Sequence, residues 1–276
     1  MASVRLSERL RGDGNPEIDR SNSHQDPPIY TWDHLRREMN QEWRDRLRGS
    51  RLLFVRHGLT WYNIQNKVSG THNTKLSPKG IEQARTLATR LSETHIDVVF
   101  SSDLDRALRT AKIFVNEAKL PVNIRLDSRL REVNLGVIQG TMRQYLVAFE
   151  SGDIDFRPPQ GESYRDAARR VASFILDAAK LCRDRESNTT IAVFTHTGVM
   201  RIIGAFLGAV KEPRDLFRQS YRNTQVLVCG FDELHISASH AIFGVGVHNS
   251  VVERLVTLYG RDVEVRSAKE LRVSVE

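Results

Sequence analysis

Two histidines and two arginines stand where apolar runs of the chain end. Arg56 and His57 end the first such run, Arg106 follows a second, and His196 directly follows a third. Guanidinium groups beside an imidazole suit an anion with one reactive atom, and phosphate is the obvious candidate. Each residue alone has an ordinary structural explanation, such as a hydrogen-bonded core histidine or a surface ion pair. Their joint placement favours one shared anion site.

The spacing of apolar residues predicts alternating strands and helices from residue 51 onward. Strands are predicted at 51–56, 97–101, 121–126, 190–195 and 224–230, and helices from Pro78, at 103–118, at 162–184 and at 198–208. This alternation is typical of an α/β fold, a three-layer α/β/α sandwich with a mainly parallel sheet. Because ligands bind outside the carboxyl ends of parallel strands, the histidines and arginines should face one pocket.

Composition divides the chain into three parts. Residues 1–50 are predicted to be an N-terminal extension, a disordered polar arm followed by one helix at 31–48. Residues 51–240 form the α/β domain, and residues 241–276 form a C-terminal extension that packs on the domain or on a partner. We favour docking of the helix 31–48 on its own domain, and a homodimer contact is the alternative.

Composition and charge argue against several classes of protein. The 276 residues carry a formal net charge of +7, but the arginines are scattered among acids, which indicates a solvated surface rather than a nucleic-acid-binding patch. No apolar stretch approaches the roughly 18 to 20 residues of a membrane span. Cys182 and Cys229 lack metal-binding or CxxC spacing, and the histidines lack zinc-ligand spacing. We therefore expect a cytoplasmic protein that needs no metal, cofactor, membrane or nucleic acid.

Several motifs occur in the order found in one known family. They are Arg56-His57-Gly58-Leu59-Thr60 with Asn63, the pair Ser69-Gly70, and the stretches 102–111, 130–140, 158–163 and 194–201. From about Arg51 to about Ser239, roughly two thirds of the chain, the sequence resembles the histidine phosphatase superfamily, the phosphoglycerate mutase-like enzymes. Thr197 departs from the usual pattern, which has glycine there, and Ile138 stands where many relatives have tryptophan.

The resemblance implies a phosphoglycerate mutase-like fold and phosphoryl transfer in two steps. His57 would form a phosphohistidine, and Glu132 would protonate the leaving alcohol and then activate water. Glu132 would then need a carboxyl pKa raised toward neutrality by burial. The sequence alone favours a different role for Glu132, a surface salt bridge with Arg129 or Arg131. The implied substrate-binding residues are Arg56, Asn63, Ser69, Gly70, Arg106, His196, in its protonated form, and Thr197.

Three functions stay open within this resemblance. The short stretch between Gly140 and Pro158 is similar to the phosphatase branch, which favours a histidine acid-type phosphomonoesterase acting on a small phosphorylated metabolite, a sugar phosphate or similar. The alternatives are a cofactor-dependent phosphoglycerate-type mutase and a non-catalytic phospholigand-binding protein. Candidates for contacts with the body of the substrate, with ordinary surface roles equally weighted, are Arg143, Tyr145, Arg157 and Tyr164.

Overall fold

The computed structural model describes residues 50–143, 146, 153–184, 189–206, 213–231, 236–240 and 243–244. The predicted polar arm, the predicted helix at 31–48 and the patterns after residue 244 lie outside these residues. None of the helices described is both long enough and apolar enough to cross a membrane.

A seven-stranded sheet forms the centre of the described residues. Its strands are β1 (Arg51–Arg56), β2 (Val98–Ser101), β3 (Ile124–Leu126), β4 (Thr190–Thr195), β5 (Val226–Phe231), β6 (Ile236–His240) and β7 (Phe243–Gly244). They lie in the order β3-β2-β4-β1-β5-β6-β7. The first four strands in this order are parallel, and each of the last three is antiparallel to the strand before it. The carboxyl ends of β1, β2 and β4 therefore meet at one edge of the parallel half.

Helices connect the parallel strands and cover the sheet. They are α1 (Trp61–Ile64), α2 (Pro78–Arg90), α3 (Asp105–Glu117), α4 (Tyr164–Asp184) and α5 (Thr197–Phe206), with 3₁₀ turns at Ser128–Leu130, Gly136–Ile138 and Pro213–Arg218. Residues of β1 alternate between two cores: Leu52 and Phe54 pack in the core that includes α4 and α5, whereas Leu53 and Val55 pack in the core that includes α2 and α3. Both faces of the sheet are buried, which confirms the predicted α/β/α sandwich.

One strand differs in length from the prediction, and another has a direction that the sequence did not specify. β3, at the edge of the sheet, begins at Ile124 and is shorter than the predicted 121–126. Pro121 has no N–H to donate to a ladder, which disfavours a strand that begins there. β5 is present, but it runs antiparallel to β1. A run of apolar residues predicts that a strand exists and does not indicate its direction.

The turn after His57 is fastened to the start of α2. Ser77 caps α2 by accepting from the Gly80 N–H at 3.1 Å, and the Ser77 backbone N–H and hydroxyl donate to the Leu59 carbonyl at 2.8 and 3.1 Å. A Cβ on Gly80 would collide with the backbone of Leu59, and a Cβ on Gly58 would meet the Gly80 carbonyl oxygen at 2.5 Å. The two glycines therefore set the path of the chain directly after His57.

We expect Gly80→Ala to lower the free energy of unfolding by about 2 kcal/mol, because the added methyl group displaces Leu59. Alanine is the better helix former by about 1 kcal/mol, so the collision has to exceed that gain. Urea unfolding measures the difference. Lys79→Ala, at the neighbouring exposed position, is the control and should change stability by less than about 0.5 kcal/mol. Equal stability of Gly80→Ala and the wild type would contradict the close contact.

Candidate active site

The ends of β1 and β4 and the start of α3 bring three buried side chains together. His57 follows β1, His196 follows β4, and Arg106 is the second residue of α3. The ring centroids of His57 and His196 lie 5.2 Å apart, and Arg106 Nε donates to His57 Nε2 at 3.2 Å. Arg106 and His196 are fully buried, and His57 is 3% exposed. The structure therefore places these residues in one group, at the edge of the sheet where the sequence predicted a pocket.

His57 is held by its own backbone in a form that leaves one ring nitrogen available for reaction. Its Nδ1 lies 2.8 Å from the Gly58 carbonyl oxygen, which can only accept, so the proton of the neutral ring is on Nδ1. The lone pair is then on Nε2, the atom that accepts from Arg106. Burial, followed by the charges of Arg106 and Arg56, lowers the pKa of His57 well below its ordinary value of 6.5. His57 is therefore neutral at pH 7, with a nucleophilic Nε2.

Arg106 is a buried cation held by backbone carbonyl groups. Its Nη1 donates to the His72 carbonyl at 2.8 Å, and its Nη2 donates to the Gly70 carbonyl at 2.6 Å. Gly70 has a φ of +49°, and a Cβ there would collide with the Gln139 side chain, so glycine is required at this contact. Burial lowers the pKa of Arg106 to about 10, which leaves it charged at neutral pH. Arg106 therefore fixes the loop at Gly70–His72 and brings a positive charge to His57.

Three buried polar atoms of this region have no hydrogen-bond partner within the described part of the chain. They are Arg56 Nε, Ser69 Oγ and His196 Nδ1. Leaving a buried polar group unpaired costs about 1–3 kcal/mol, so three together indicate a site that a ligand with several oxygens completes. The other end of the Arg56 guanidinium is fixed, because Nη1 donates to the Tyr221 carbonyl at 2.5 Å. Burial lowers the pKa of Arg56 to about 10, and it also stays charged.

The charge of His196 differs from the prediction. Burial, followed by the nearby charge of Arg106, lowers the pKa of His196 well below 6.5, which favours the neutral ring over the predicted protonated form. His196 Nε2 lies 2.9 Å from Ser102 Oγ, which also accepts from the Leu104 N–H at 3.3 Å. The Ser102 hydroxyl can therefore donate to Nε2, which leaves a proton on Nδ1. Neutral His196 can still donate that proton to an anion.

Glu132 binds the start of α5, and among the described residues it forms no salt bridge with Arg129 or Arg131. Its Oε1 accepts from the backbone N–H groups of Val133 and Gly198 at 3.0 and 2.9 Å. A carboxylate is favoured at a helix N-terminus, where backbone N–H groups have no partner within the helix. The two arginines that the sequence suggested as partners of Glu132 form other salt bridges: Arg129 with Asp127 and Asp177, and Arg131 with Asp103. The salt-bridge interpretation of Glu132 is therefore wrong.

The departure from the family pattern at Thr197 has a structural reason. A Cβ on Gly198 would collide with the carboxylate of Glu132, so glycine is needed at 198. Thr197 carries a side chain without such a collision and lines the cavity described below. The family pattern has glycine at positions 197 and 198, and the position of Glu132 therefore requires only the one at 198.

One arginine on α4 holds the segment that carries Glu132. Arg170 donates to the backbone carbonyls of Arg129, Arg131 and Glu132 at 2.6, 2.7 and 3.2 Å. It also binds both carboxylate oxygens of Glu162, at 2.7 and 3.1 Å. Arg170 was not predicted from the sequence as a positioning residue. Its signal was its place in an apolar stripe, three residues after Ala167 and four before Phe174, both of which are buried.

The side-chain amide of Asn63 faces the cavity and is oriented by hydrogen bonds from Thr60 and Asn223. Asn63 Oδ1 accepts from the Thr60 N–H at 3.2 Å and from Asn223 Nδ2 at 3.4 Å. Asn223 Nδ2 also donates to the His57 carbonyl at 3.0 Å. Because the Asn63 oxygen is engaged in this way, its Nδ2 group is left to donate to a ligand.

These groups open into a cavity of about 280 Å³. The sequence-predicted site residues that line it are Arg56, His57, Asn63, Ser69, Gly70, Arg106, Glu132 and Thr197. The remaining one, His196, contacts the ring of His57. Within the described ranges, no group of three or more His, Cys, Asp or Glu side chains could hold a metal ion.

The structure gives three different results for the four residues that were predicted as candidates for contacts with the body of a ligand. Arg143 and Tyr164 line the cavity. Arg157 instead pairs with Asp166 at 2.6 Å, and Tyr145 lies outside the described residues. Lining residues that were not predicted from the sequence include Lys67, Arg201 and Phe217. Arg201 had a usable signal, because it follows Thr197 by four residues and so shares its face of α5.

Comparisons with known proteins agree on one relationship. The sequence model of the histidine phosphatase superfamily (branch 1) matches residues 52–240. The probable phosphoglycerate mutase GpmB of Escherichia coli is 35% identical over 150 residues, which cover 51% of this chain and 67% of that protein. The structure of mycobacterial glucosyl-3-phosphoglycerate phosphatase in complex with VO3 aligns with a TM-score of 0.60 and 26% identity, over 69% of this chain and 97% of that one. A mutant phosphoserine phosphatase from Entamoeba histolytica, in complex with phosphoserine, aligns with a TM-score of 0.59 and 26% identity, over 70% and 96% of the two chains.

The two buried imidazoles predict loss of stability in mild acid. Below pH 6.5 both histidines take up a proton in the unfolded chain, whereas burial and Arg106 keep them neutral in the folded protein. The unfolded state then binds more protons, so falling pH favours unfolding, by about 1.4 kcal/mol per pH unit for each histidine. Urea unfolding from pH 8 to pH 5 measures this slope.

His196→Gln removes one of the two histidines that take up a proton in the unfolded chain. The slope of the free energy of unfolding against pH, between pH 6 and pH 5, should therefore fall by about 1.4 kcal/mol per pH unit. Above pH 7.5 the variant and the wild type should show the same pH dependence, because the histidine is neutral in both states of the protein. An unchanged slope in mild acid would contradict a neutral His196.

Proposed function

The chain belongs to the histidine phosphatase superfamily, and from this premise we propose that it is a phosphomonoesterase acting on a small phosphorylated metabolite. The observation that carries the proposal is the neutral imidazole of His57, whose Nε2 faces the buried cation Arg106 within a cavity that Glu132 also lines. A nucleophile, a charge that binds phosphate and a proton donor therefore lie together. The similar structures of two phosphatases support the same reaction.

In the first step, His57 Nε2 attacks phosphorus as the ester P–O bond breaks. In the structure, Arg106 Nε donates a hydrogen bond to the lone pair of His57 Nε2. When substrate binds, Arg106 Nε donates to a phosphate oxygen instead, and the lone pair is released for attack. Arg56 Nε, Ser69 Oγ and His196 Nδ1, which have no partner in the described residues, donate to the non-bridging oxygens. Glu132 gives its proton to the departing alkoxide. Because the donors are already fixed, charge that develops on the phosphoryl group meets oriented dipoles.

In the second step, water attacks the phosphohistidine. Glu132, now ionised, accepts a proton from the water, the P–N bond breaks, and inorganic phosphate leaves with His57 restored. The backbone N–H groups of Val133 and Gly198 stabilise the ionised carboxylate. The same carboxyl group therefore serves as acid and then as base, as microscopic reversibility requires.

The size of the cavity supports a small substrate. A volume of about 280 Å³ is just below the usual range for ligand pockets, about 300–1,000 Å³. A phosphorylated protein would need an open cleft, so we favour a metabolite. The buried free thiols of Cys182 and Cys229 fit a reducing compartment, and we propose the cytoplasm. We propose no nucleic-acid or membrane partner, and a homodimer stays a prediction.

A mutase is the second candidate, because one similar protein, GpmB of Escherichia coli, is a probable phosphoglycerate mutase. In a mutase the phosphohistidine returns its phosphoryl group to a second hydroxyl instead of to water. The short stretch between Gly140 and Pro158 favours water, since a longer insertion would be needed to cover the intermediate. Isomerised product that forms only with a bisphosphorylated primer would select the mutase.

We expect His57→Asn to lower kcat by at least about 10³-fold and to abolish an acid-labile phosphoenzyme, because no other group in the site replaces Nε2. Rapid quenching after mixing with ³²P-labelled substrate measures the intermediate. His95→Asn, an exposed histidine outside the cavity, is the control and should trap phosphate as the wild type does. Absence of any phosphoenzyme and of turnover in the wild type would select the non-catalytic phospholigand-binding protein.

Glu132→Gln tests the role of the proton donor independently of the role of the nucleophile. We expect hydrolysis of alkyl phosphates to fall by about 10²–10⁴-fold, because an alkoxide needs a proton to leave. Formation of the phosphoenzyme from p-nitrophenyl phosphate, whose leaving group is stable as an anion, should fall much less. Glu82→Gln, at an exposed position of α2, is the control. An equal loss with both leaving groups would contradict the assigned role of Glu132.

A further inference from the structure

The peptide group between Gly70 and Thr71 is held at both of its polar ends. The Gly70 carbonyl accepts from Arg106 Nη2 at 2.6 Å, and the Thr71 N–H donates to the side-chain oxygen of Gln139, Oε1, at 2.5 Å. In a trans peptide the C=O and the N–H point in opposite directions, so Gln139 and Arg106 lie on opposite sides of one rigid plane. Hydrogen bonds in such a chain polarise one another, so each strengthens the other.

Glycine at position 70 makes this peptide group easy to turn over. Gly70 has a φ of +49°, and without a side chain it can adopt the backbone conformations on either side of such a rotation. Turning the plane over would aim the Thr71 N–H at the Arg106 guanidinium, where two donors would face each other. The orientation that Arg106 needs therefore has to be fixed from the other side of the peptide plane.

Gln139 supplies this restraint. Its Oε1 also accepts from Thr71 Oγ1 at 2.9 Å and from the Leu135 N–H at 3.4 Å, so three donors converge on one oxygen. The backbone beside it is fastened to the same loop, because the next residue, Gly140, donates its N–H to the Val68 carbonyl at 2.8 Å. Gln139 is therefore fixed before it fixes the peptide group.

The restraint matters because Arg106 is the cation that faces the reacting nitrogen. The Gly70 carbonyl is one of the two backbone carbonyls that hold the Arg106 guanidinium, and Arg106 Nε donates to His57 Nε2 at 3.2 Å. A turned peptide group would release one end of the guanidinium and displace Ser69, whose buried Oγ has no partner among the described residues. Displacements of about 1 Å in a positioned site can cost about 10²-fold in rate.

We propose that Gln139 is a positioning residue of the phosphate site, which holds the Gly70–Thr71 peptide group and thereby fixes Arg106 in the orientation that binds the phosphoryl group. This inference rests on the proposed phosphatase function and adds to it a residue of the acid-bearing stretch 130–140. Gln139 is not among the residues that line the cavity, so it acts through Arg106 and contacts no substrate.

Binding of orthovanadate, a tetrahedral anion like phosphate, tests the restraint without requiring turnover. Gln139→Met keeps the length of the side chain and removes the acceptor, so we expect the Kd measured by calorimetry to rise at least about tenfold. Gln139→Ala should show the same loss, which separates the missing acceptor from any effect of methionine itself. Gln139→Glu keeps an acceptor oxygen in place and should bind within about threefold of the wild type. Gln65→Met, at an exposed position outside the cavity, is the matched control and should bind as the wild type does.

The His57 ring reports the same change by nitrogen NMR. Because Arg106 Nε donates to His57 Nε2, the Nε2 resonance should shift in ligand-free Gln139→Met and stay in place in Gln139→Glu. A loss of stability alone would not move this resonance in the folded protein. Wild-type affinity of Gln139→Met, an unmoved Nε2 resonance in that variant, or a Gln139→Glu variant that binds no better than Gln139→Met would each overturn the positioning role alone. Lack of turnover of every phosphate ester by the wild type would overturn the phosphatase function instead, and the binding and NMR results would still decide the role of Gln139.

Discussion

The concentration of positive charge around a neutral imidazole is the constraint on which the rest of the site depends. Arg56 and Arg106 are held by backbone carbonyls, those of Gly70, His72 and Tyr221. Within the described part of the chain, neither arginine has a carboxylate at ion-pair distance. Carbonyl dipoles fix the guanidinium groups without cancelling their charge, so that the charge is available to a phosphate. Burial, followed by the charge of Arg106, lowers the pKa of His57 and of His196 and favours their neutral forms.

Two buried arginines beside an imidazole are costly to bury, and the surrounding fold is arranged to hold them. Parallel strands bring His57 and His196 to one edge of the sheet, and α3 delivers Arg106 to the same place. The contact of Ser77 and Gly80 with the turn after β1 fixes the chain next to His57. Arg170 fixes the segment of Glu132 through three carbonyl groups. The catalytic groups therefore sit on rigid elements, which is the arrangement that positioning catalysis needs.

The sequence predicted the fold and the central group well, for a physical reason. Apolar runs mark strands, and the carboxyl ends of parallel strands meet, so Arg56, His57, Arg106 and His196 could be placed together before any coordinates. The charge of His196 and the partner of Glu132 could not be predicted, because both depend on burial and on residues distant in sequence. The helical spacing of Arg170 and Arg201 carried a signal, but their contacts could not be predicted, because their partners come from other segments, 129–132 and 219.

The central claim is that His57 is a neutral imidazole with its proton on Nδ1 and an unprotonated Nε2, whose lone pair accepts from Arg106 Nε. Nitrogen NMR of protein labelled with ¹⁵N-histidine tests this most directly, with the His57 resonances assigned from the His57→Asn spectrum. At pH 7 the account predicts one protonated ring nitrogen, Nδ1, and one unprotonated nitrogen, Nε2, whose shift changes when orthovanadate is added. A His57 ring that is protonated on both nitrogens at pH 7, or that carries its single proton on Nε2, would contradict it.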